Sequence, residues 1–234
     1  MYENILELKS LSKEFHRHPV LKSISMSIPR GCVYGLLGAN GAGKSTLLKT
    51  ITGLLRPSSG EIYFRGHKWS RQDLADIGAL IETPPVYENL TAWENMKVKA
   101  LLTGASEEQM EEALKAAGIA DTGKKKAGAF SLGMKQRLGI ALALLKHPKL
   151  LVLDEPVNGL DPVGIKRLRQ LIQSFPEKGI TVIVSSHILS EIEQTADYVG
   201  IIADGRLGYE GKADGRKNLE TLFMEIAEQG GEDR

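Results

Sequence analysis

The chain has 234 residues, a formal net charge of +1 and 25% charged residues. This length can bury a substantial core, in one large domain or in a domain with an added lobe. The charge balance is ordinary for a soluble protein and gives no general reason to expect nucleic acid as a partner. A single cysteine, Cys32, excludes a disulfide framework within the chain and is interpreted as a small core residue.

The apolar runs are short, and none approaches the roughly 20 residues that a membrane-spanning helix needs. The N-terminal segment has no basic region followed by an apolar stretch, so no signal peptide is visible. We therefore expect a cytosolic chain, with any role at a membrane supplied through a partner.

The first third of the chain predicts several strands and one helix. Short strands at residues 5–8, 24–28 and 61–64 indicate a β-rich edge, with turn residues between them. A buried strand at residues 33–37 leads into a glycine-rich loop, and a helix follows at residues 45–52. Another strand is expected at residues 77–81. Apolar runs that alternate with helical patterns favour βα units around a mostly parallel sheet.

The middle of the chain predicts a helical lobe over about residues 85–130. Thr91 with Glu94, and Ser106 with Gln109, form capping-box patterns that open helices toward residues 102 and 116. The later elements alternate again: helix 131–146, strand 150–153, helix 162–174, strand 181–185, helix 189–196, strand 198–203 and a C-terminal helix over about residues 217–228.

Residues 38–46 fit the P-loop pattern and lie between a predicted strand and a predicted helix, as that motif requires. Glycines let successive backbone N–H groups point at phosphate oxygens, and the positive end of the following helix adds to the attraction. Lys44 would reach the β- and γ-phosphates of ATP, and the Ser45 hydroxyl would ligate Mg²⁺. The predicted nucleotide-binding residues are Gly38, Ala39, Asn40, Gly41, Ala42, Gly43, Lys44, Ser45 and Thr46.

Two adjacent acids, Asp154 and Glu155, follow the apolar strand at residues 150–153. The carboxyl end of a buried strand is where α/β sheets bind ligands. Asp154 is predicted to hold Mg²⁺, directly or through water, and Glu155 to orient and polarise the attacking water. The P-loop and these acids alone would also suit a metabolite kinase.

A more specific pattern begins just before the acidic strand. Residues 130–137 read Phe-Ser-Leu-Gly-Met-Lys-Gln-Arg, and Asn-Gly-Leu-Asp follows at residues 158–161. The first stretch resembles the LSGGQ signature of ABC ATPases, with Phe130, Leu132 and Met134 departing from it. The second resembles the D-loop of that family. The motifs follow the family's order and spacing over roughly residues 6–212.

Several roles are implied by this resemblance to ABC ATP-binding subunits. Residues of the signature would meet the γ-phosphate held by a second copy of the chain, His187 would donate a hydrogen bond to the same phosphate, and Phe15 would stack on adenine. A core position is the alternative for Phe15. The residues implied in these roles are Ser131, Leu132, Gly133 and Met134 in the signature, Asp161 in the D-loop, Lys44, Glu155 and His187 in catalysis, and Phe15 at the base.

The resemblance also implies a fold and partners. The expected fold is an α/β P-loop NTPase of the ABC type, with a mixed, mostly parallel sheet, a β-rich edge and an inserted helical lobe. The core and β subdomain would take about residues 1–84 and 147–212, and the helical subdomain about residues 85–146. Two copies would enclose two MgATP and drive separate permease subunits from the inner face of the cell membrane.

One position departs from the family. The strand at residues 77–81 should end in a glutamine that senses Mg²⁺ and water, and this chain has Glu82. An ionised glutamate only accepts hydrogen bonds, and its charge is repelled by a triphosphate unless Mg²⁺ is near. Glu82 is therefore a candidate Mg²⁺ ligand. A tolerated loop substitution is the alternative.

Glu82 and the following stretch at residues 84–91 resemble the ATP-binding subunits that protect bacteria against bacitracin or lantibiotics. That resemblance implies export of an antimicrobial peptide from the membrane. An exporter of another substrate is the alternative. A soluble ABC ATPase of DNA repair or translation is disfavoured, because the sequence shows neither a long coiled coil nor a second cassette.

Overall fold

A computed structural model of the chain describes residues 3–213 and 218–229. Within these ranges the strands are β1 Asn4–Phe15, β2 His18–Pro29, β3 Val33–Leu37, β4 Ser59–Phe64, β5 His67–Lys68, β6 Ile77–Leu80, β7 Leu150–Leu153, β8 Thr181–Ser186, β9 Tyr198–Ala203 and β10 Arg206–Lys212. The α-helices are α1 Lys44–Ile51, α2 Ala92–Thr103, α3 Glu107–Ala116, α4 Leu132–Leu144, α5 Pro162–Gln173, α6 Leu189–Glu193 and α7 Leu219–Gln229. Short 3₁₀ turns occur at Arg71–Ala75, Ala127–Ala129 and Pro176–Lys178.

The larger sheet has the strand order β10-β9-β3-β8-β7-β6. Strand β3 pairs in parallel with β8 and β9, β7 pairs in parallel with β6 and β8, and β10 pairs antiparallel with β9. Parallel strands carry their carboxyl ends to the same edge of a sheet. The segments that follow β3, β7 and β8 therefore meet at one edge.

The smaller sheet is antiparallel, with the order β2-β1-β4-β5. Its two long strands form a hairpin in which Phe15 faces His18 across a two-residue turn. His16 and Arg17, the turn residues, have φ values of 49° and 67°. Two consecutive left-handed residues define a type I′ turn, whose backbone twist matches that of the flanking strands. The hairpin tip is exposed from residue 14 to residue 19.

Two hydrophobic cores lie on opposite faces of the larger sheet. Along β7, Leu151 and Leu153 belong to one cluster, while Leu150 and Val152 belong to the other. This alternation follows from the two-residue period of a strand. The first core also holds apolar residues of α2, α3 and α4, and the second is shared with α1 and the antiparallel sheet.

Cys32 is 5% exposed, as its interpretation as a core residue predicts. Burial raises the pKa of its thiol to about 12, and the nearby charge of Asp197 adds to the rise. The thiol is therefore protonated at neutral pH and is a poor nucleophile.

Both predicted capping boxes are present. Thr91 Oγ1 accepts a hydrogen bond from the Glu94 N–H, and the Glu94 carboxylate accepts one from the Thr91 N–H at 2.7 Å. That backbone bond is the main reason why the pKa of Glu94 falls to about 2, and a bond from Lys126 lowers it further. Ser106 and Gln109 form the same pair of bonds ahead of α3.

Several predicted boundaries were wrong. Strands β1 and β2 run to 12 residues each, well beyond residues 5–8 and 24–28. Their registers shift, and Ser10 and Ser23 have φ values of 49° and 56°, so the alternating pattern breaks inside each strand. Strand β10 was not predicted, and α6 ends at Glu193 rather than at residue 196.

Helices α2, α3 and α4 contact one another, as expected for a helical lobe. The predicted subdomain boundaries stay a prediction. The C-terminal helix begins at Leu219, and residues 214–217, on which its predicted start falls, lie outside the described residues. Over residues 3–213 and 218–229, no helix is both long and apolar enough to cross a membrane.

Candidate nucleotide-binding site

The loop at residues 38–46 folds around the ammonium group of Lys44. Lys44 is 5% exposed, and its Nζ donates to the carbonyl oxygens of Gly38 at 2.7 Å and Ala39 at 3.2 Å. Gly41 and Gly43 have φ values of 81° and 106°, which side-chain-bearing residues rarely adopt. The sequence therefore needs glycine at these two places for the loop to close on its own lysine.

Helix α1 begins directly at this loop. Its N-cap, Gly43, provides no side-chain acceptor, and the first turn holds no acidic residue. The first N–H groups of a helix have no partner within the helix and carry its positive end. They are thus available to an anion such as a phosphate group.

Glu155 joins two of the other predicted catalytic residues. Its Oε1 lies 3.2 Å from Lys44 Nζ, and its Oε2 lies 2.8 Å from His187 Nδ1. An ionised carboxylate can only accept hydrogen bonds, so Nδ1 of His187 carries the proton in this contact. Glu155 has a φ of 48°, a left-handed conformation that turns its side chain off the end of β7. Residues that follow β3, β7 and β8 are thus held by one carboxylate.

Asp154 and Glu155 share a partner that sequence reasoning missed. Ser185 Oγ donates to Asp154 Oδ1 at 2.6 Å and accepts from the backbone N–H of Glu155 at 2.9 Å. Asp154 is 4% exposed and Ser185 is fully buried. Ser185 therefore fixes both acids, although nothing in its sequence context marks it beyond its place near the end of a predicted strand.

The donor set suits Mg²⁺ in a nucleotide complex. Mg²⁺ takes one or two protein oxygens beside phosphate oxygens and waters, and it does not require a protein cage. Asp154 supplies a buried carboxylate, and Ser45 supplies a half-buried hydroxyl at the start of α1. Among the described residues no group of three or more His, Cys, Asp or Glu could cage a metal.

Glu82 is bonded to Lys49, a second partner that sequence reasoning missed. Its Oε1 lies 2.5 Å from Lys49 Nζ, and its side chain is 61% exposed. Glu82 also has a φ of 62°. The expected repulsion between this carboxylate and a triphosphate is therefore partly offset by the neighbouring lysine on α1. Its role as a Mg²⁺ ligand stays a prediction.

The signature residues lie elsewhere on the chain. Ser131 is the N-cap of α4, and its Oγ accepts from the Met134 N–H at 3.3 Å. A cavity of about 670 Å³ is lined by Ser131, Leu132, Gly133 and Met134 together with Asp161. Of the described residues that line it, none belongs to the P-loop.

Asp161 and Phe15, the two remaining predicted site residues, lie at a helix end and at the hairpin tip. Asp161 caps α5, since its Oδ1 accepts from the Gly164 N–H at 2.8 Å. Phe15 is 38% exposed at the hairpin tip, with Lys13 Nζ 4.8 Å from its ring centroid. The alternative of a core position for Phe15 is therefore wrong, while stacking on adenine stays a prediction.

A buried lysine in a glycine-rich loop, with two acids at the end of another parallel strand of the same sheet, defines a P-loop nucleotide-binding protein. Residues 21–158 match the family described as ABC transporter. The chain belongs to this family, as an ATP-binding subunit and an ATPase. The predicted fold class is thereby confirmed.

Comparison with three similar proteins indicates which branch of the family the chain resembles. The lantibiotic transport ATP-binding protein SrtF of Streptococcus pyogenes is 50% identical over 219 residues, which cover 94% of this chain and 96% of SrtF. The bacitracin transport ATP-binding protein BcrA of Bacillus licheniformis is 44% identical over 95% of this chain and 74% of BcrA. The dimeric ATP-binding cassette MJ0796, in a post-hydrolysis state with ADP and Pi, has a TM-score of 0.78 at 27% identity, over 90% of this chain and 99% of that one. The predicted resemblance to the bacitracin and lantibiotic branch is confirmed.

Ser185 provides a test of how the two acids are held. We expect Ser185→Ala to raise the Mg²⁺ concentration that gives half-maximal ATPase activity by roughly tenfold, because Asp154 loses the bond that orients it. The free energy of unfolding should fall by about 1–3 kcal/mol, since the buried Asp154 carboxylate loses a donor and the partly buried Glu155 N–H loses its acceptor. Steady-state ATPase assays across a Mg²⁺ titration and denaturant unfolding measure both.

Ser186→Ala is the matched control. Ser186 is also buried, but within residues 3–213 and 218–229 its Oγ bonds only to the backbone of Ile188. Equal Mg²⁺ dependence in the two variants would show that Ser185 does not orient Asp154.

Proposed function

We propose that this chain hydrolyses ATP as one of two identical copies in a head-to-tail dimer, which drives export of an antimicrobial peptide through separate membrane subunits. The dimer is proposed because the P-loop and the cavity at Ser131 lie apart on one chain. A two-fold axis can place the P-loop of each copy against the Ser131 cavity of the other. The dimeric state of MJ0796 supports this arrangement.

The proposed reaction begins with an exchange of partners at Lys44. Phosphate oxygens take the place of the Glu155 carboxylate beside Nζ, which is 3.2 Å away in this structure. A buried ammonium stays paired with an anion throughout the exchange, so its burial is not left uncompensated. Glu155 is then free to accept a proton from the attacking water.

Water attacks the γ-phosphorus, its proton passes to Glu155, and the bond to the β-phosphate oxygen breaks to give ADP and phosphate. Mg²⁺, held by Asp154 and Ser45, would neutralise charge on the phosphate oxygens. His187 orients Glu155 through the 2.8 Å contact at Nδ1. Its Nε2 then remains for the γ-phosphate, to which it can donate only when the ring is protonated on both nitrogens.

Ser131 and Gly133 of the second copy would complete the site. The Ser131 hydroxyl and the first N–H groups of α4 provide donors at a positive helix end. These donors stabilise charge on the γ-phosphate only when the dimer is closed. Binding of ATP therefore favours closure, and release of phosphate favours opening.

The transported substrate is proposed from the relatives. SrtF and BcrA are lantibiotic and bacitracin transport proteins, so the substrate class is an antimicrobial peptide. The chain would act at the cytoplasmic face through a permease. A cavity of about 280 Å³ between the Arg71–Ala75 turn, α2 and α4 is the proposed contact, since Leu74, Tyr87 and Leu102 line it and are exposed.

Glu155→Gln tests the proposed base. With ATP and Mg²⁺ this variant should elute from gel filtration as a dimer, because ATP binds but hydrolysis is slowed by about 10²–10⁴-fold. The double variant Lys44→Ala/Glu155→Gln should remain monomeric under the same conditions, since it cannot retain the triphosphate. Turnover at the normal rate by Glu155→Gln would remove Glu155 as the base.

Glu82→Gln tests the unusual residue at the end of β6. We expect ATP affinity to change by less than about threefold, because exposed ion pairs contribute little. Peptide resistance of cells should change, since Glu82 pairs with Lys49 of α1 and lies in the segment between Ala79 and Pro85, which line the proposed permease contact. Glu88→Gln is the control, because Glu88 is equally exposed and is paired with Lys135 at 2.5 Å. If cells with Glu82→Gln, like those with Glu88→Gln, keep the resistance of the unmodified chain at matched expression, Glu82 is functionally neutral.

A further inference from the structure

The P-loop rests against the turn between β9 and β10, the two strands beside β3 in the larger sheet. Gly205, in the turn between β9 and β10, donates its N–H to the Ala42 carbonyl oxygen at 3.0 Å. The Gly205 carbonyl oxygen accepts from the Lys22 N–H of β2 at 2.7 Å. One residue thus bonds to the P-loop on one side and to the antiparallel sheet on the other.

The contact at this point leaves no space for side chains. A Cβ on Gly205 would lie 2.3 Å from the Val20 carbonyl oxygen. A Cβ on Gly43 would lie 3.0 Å from Leu21 Cδ2 and 3.1 Å from the same carbonyl oxygen. Strand β2 therefore packs directly on the backbone of the P-loop.

A partly buried ion pair closes this contact. Lys22 Nζ bonds to Asp204 Oδ2, and the two side chains are 24% and 22% exposed. Lys22 belongs to β2, whereas Asp204 belongs to the β9–β10 turn. Such shielding from solvent makes the pair less sensitive to salt than a fully exposed one. We call the Lys22–Asp204 pair with the Gly205 backbone bonds the sheet clasp.

The hairpin tip depends on the sheet clasp for its position. Lys22 lies four residues beyond His18, which is about 13 Å along an extended strand. The hydrogen bonds described for residues 14–19 run between β1 and β2, apart from the Glu14 N–H, which donates to Ser58 Oγ just before β4 at 3.1 Å. A two-stranded ribbon is weakly stable alone and can bend. The tip is thus tied to the P-loop through the base of the ribbon.

We propose that the sheet clasp sets the distance between the hairpin tip and the P-loop, which makes Lys22 and Asp204 positioning residues for the adenine end of ATP. This inference rests on the predicted adenine contact of Phe15 at the hairpin tip and on the proposed function, in which the P-loop binds the phosphates of ATP. Loss of the pair frees the ribbon to shift, and misplacement by about 1 Å is enough to lose a stacking contact. The phosphate cradle keeps its own bonds between Lys44, Gly38 and Ala39.

Binding of ATP and of inorganic triphosphate, each measured with Mg²⁺, distinguishes effects at the adenine end of the ligand from effects at the phosphate end, because triphosphate lacks the adenosine. In Lys22→Met and Asp204→Asn, ATP should bind about five- to tenfold more weakly, while triphosphate should change by less than about twofold. The exchange variant Lys22→Asp/Asp204→Lys should regain part of the ATP affinity. Asp204→Asn retains the size of the side chain, so it remains informative if Lys22→Met folds poorly.

Lys68→Met is the matched control, because Lys68 forms an ion pair with Glu61 in the same sheet, away from the P-loop. Its ratio of ATP to triphosphate affinity should equal that of the unmodified chain. Equal weakening of both ligands in Lys22→Met and Asp204→Asn would overturn the proposal, and so would unchanged affinity for both.

Phe15→Ala distinguishes the sheet clasp from the proposed adenine contact. If this variant keeps the normal ratio while Lys22→Met lowers it, the clasp is supported and another tip residue contacts the base. If only Phe15→Ala lowers the ratio, the clasp is overturned and the adenine contact stands. If Phe15→Ala and Lys22→Met both keep the normal ratio of ATP to triphosphate affinity, the sheet clasp and the adenine contact are both overturned.

Discussion

The carboxylate of Glu155 lies between Lys44 Nζ and His187 Nδ1, and the geometry of the site depends on this bridge. Lys44 is buried, and a buried ammonium needs an anion and hydrogen-bond acceptors close by. The parallel order of β3, β8 and β7 makes this possible, because their carboxyl ends meet at one edge. In the proposed reaction a triphosphate would replace the carboxylate at Lys44 without leaving the ammonium unpaired, and the displaced Glu155 would act as the base.

The same chain presents a second set of donors at a distance from this bridge. Ser131 and Gly133 lie at the start of α4, in a cavity that they share with Asp161. Hydrogen-bond donors at a helix N-terminus are ready for a phosphate, but the P-loop of their own chain does not line that cavity. In two copies related by a two-fold axis, the P-loop of one copy and the α4 donors of the other would contact the same nucleotide. The sheet clasp would keep each hairpin tip aligned with its P-loop.

Contiguous patterns in the sequence predicted local structure well. Contacts between residues that are distant in the sequence could not be predicted from it. The P-loop, the capping boxes at Thr91 and Ser106 and the strand before Asp154 are encoded within a few residues, so spacing alone identifies them. The lengths of β1 and β2 were missed because bulges interrupt their alternation. Ser185 and Lys49 could not be foreseen, since only the folded sheet brings them to Asp154 and Glu82.

Complementation between two defective chains tests the shared site most directly. Lys44→Ala removes the lysine that is predicted to bind the phosphates, and Ser131→Arg blocks the donors at α4. If each site takes its P-loop and its signature from different copies, a mixture of the two variants contains heterodimers with one intact site. Equimolar mixing should then restore up to about a quarter of normal ATPase activity, because half of the dimers carry one of two sites. A mixture as inactive as either variant alone would contradict the head-to-tail arrangement.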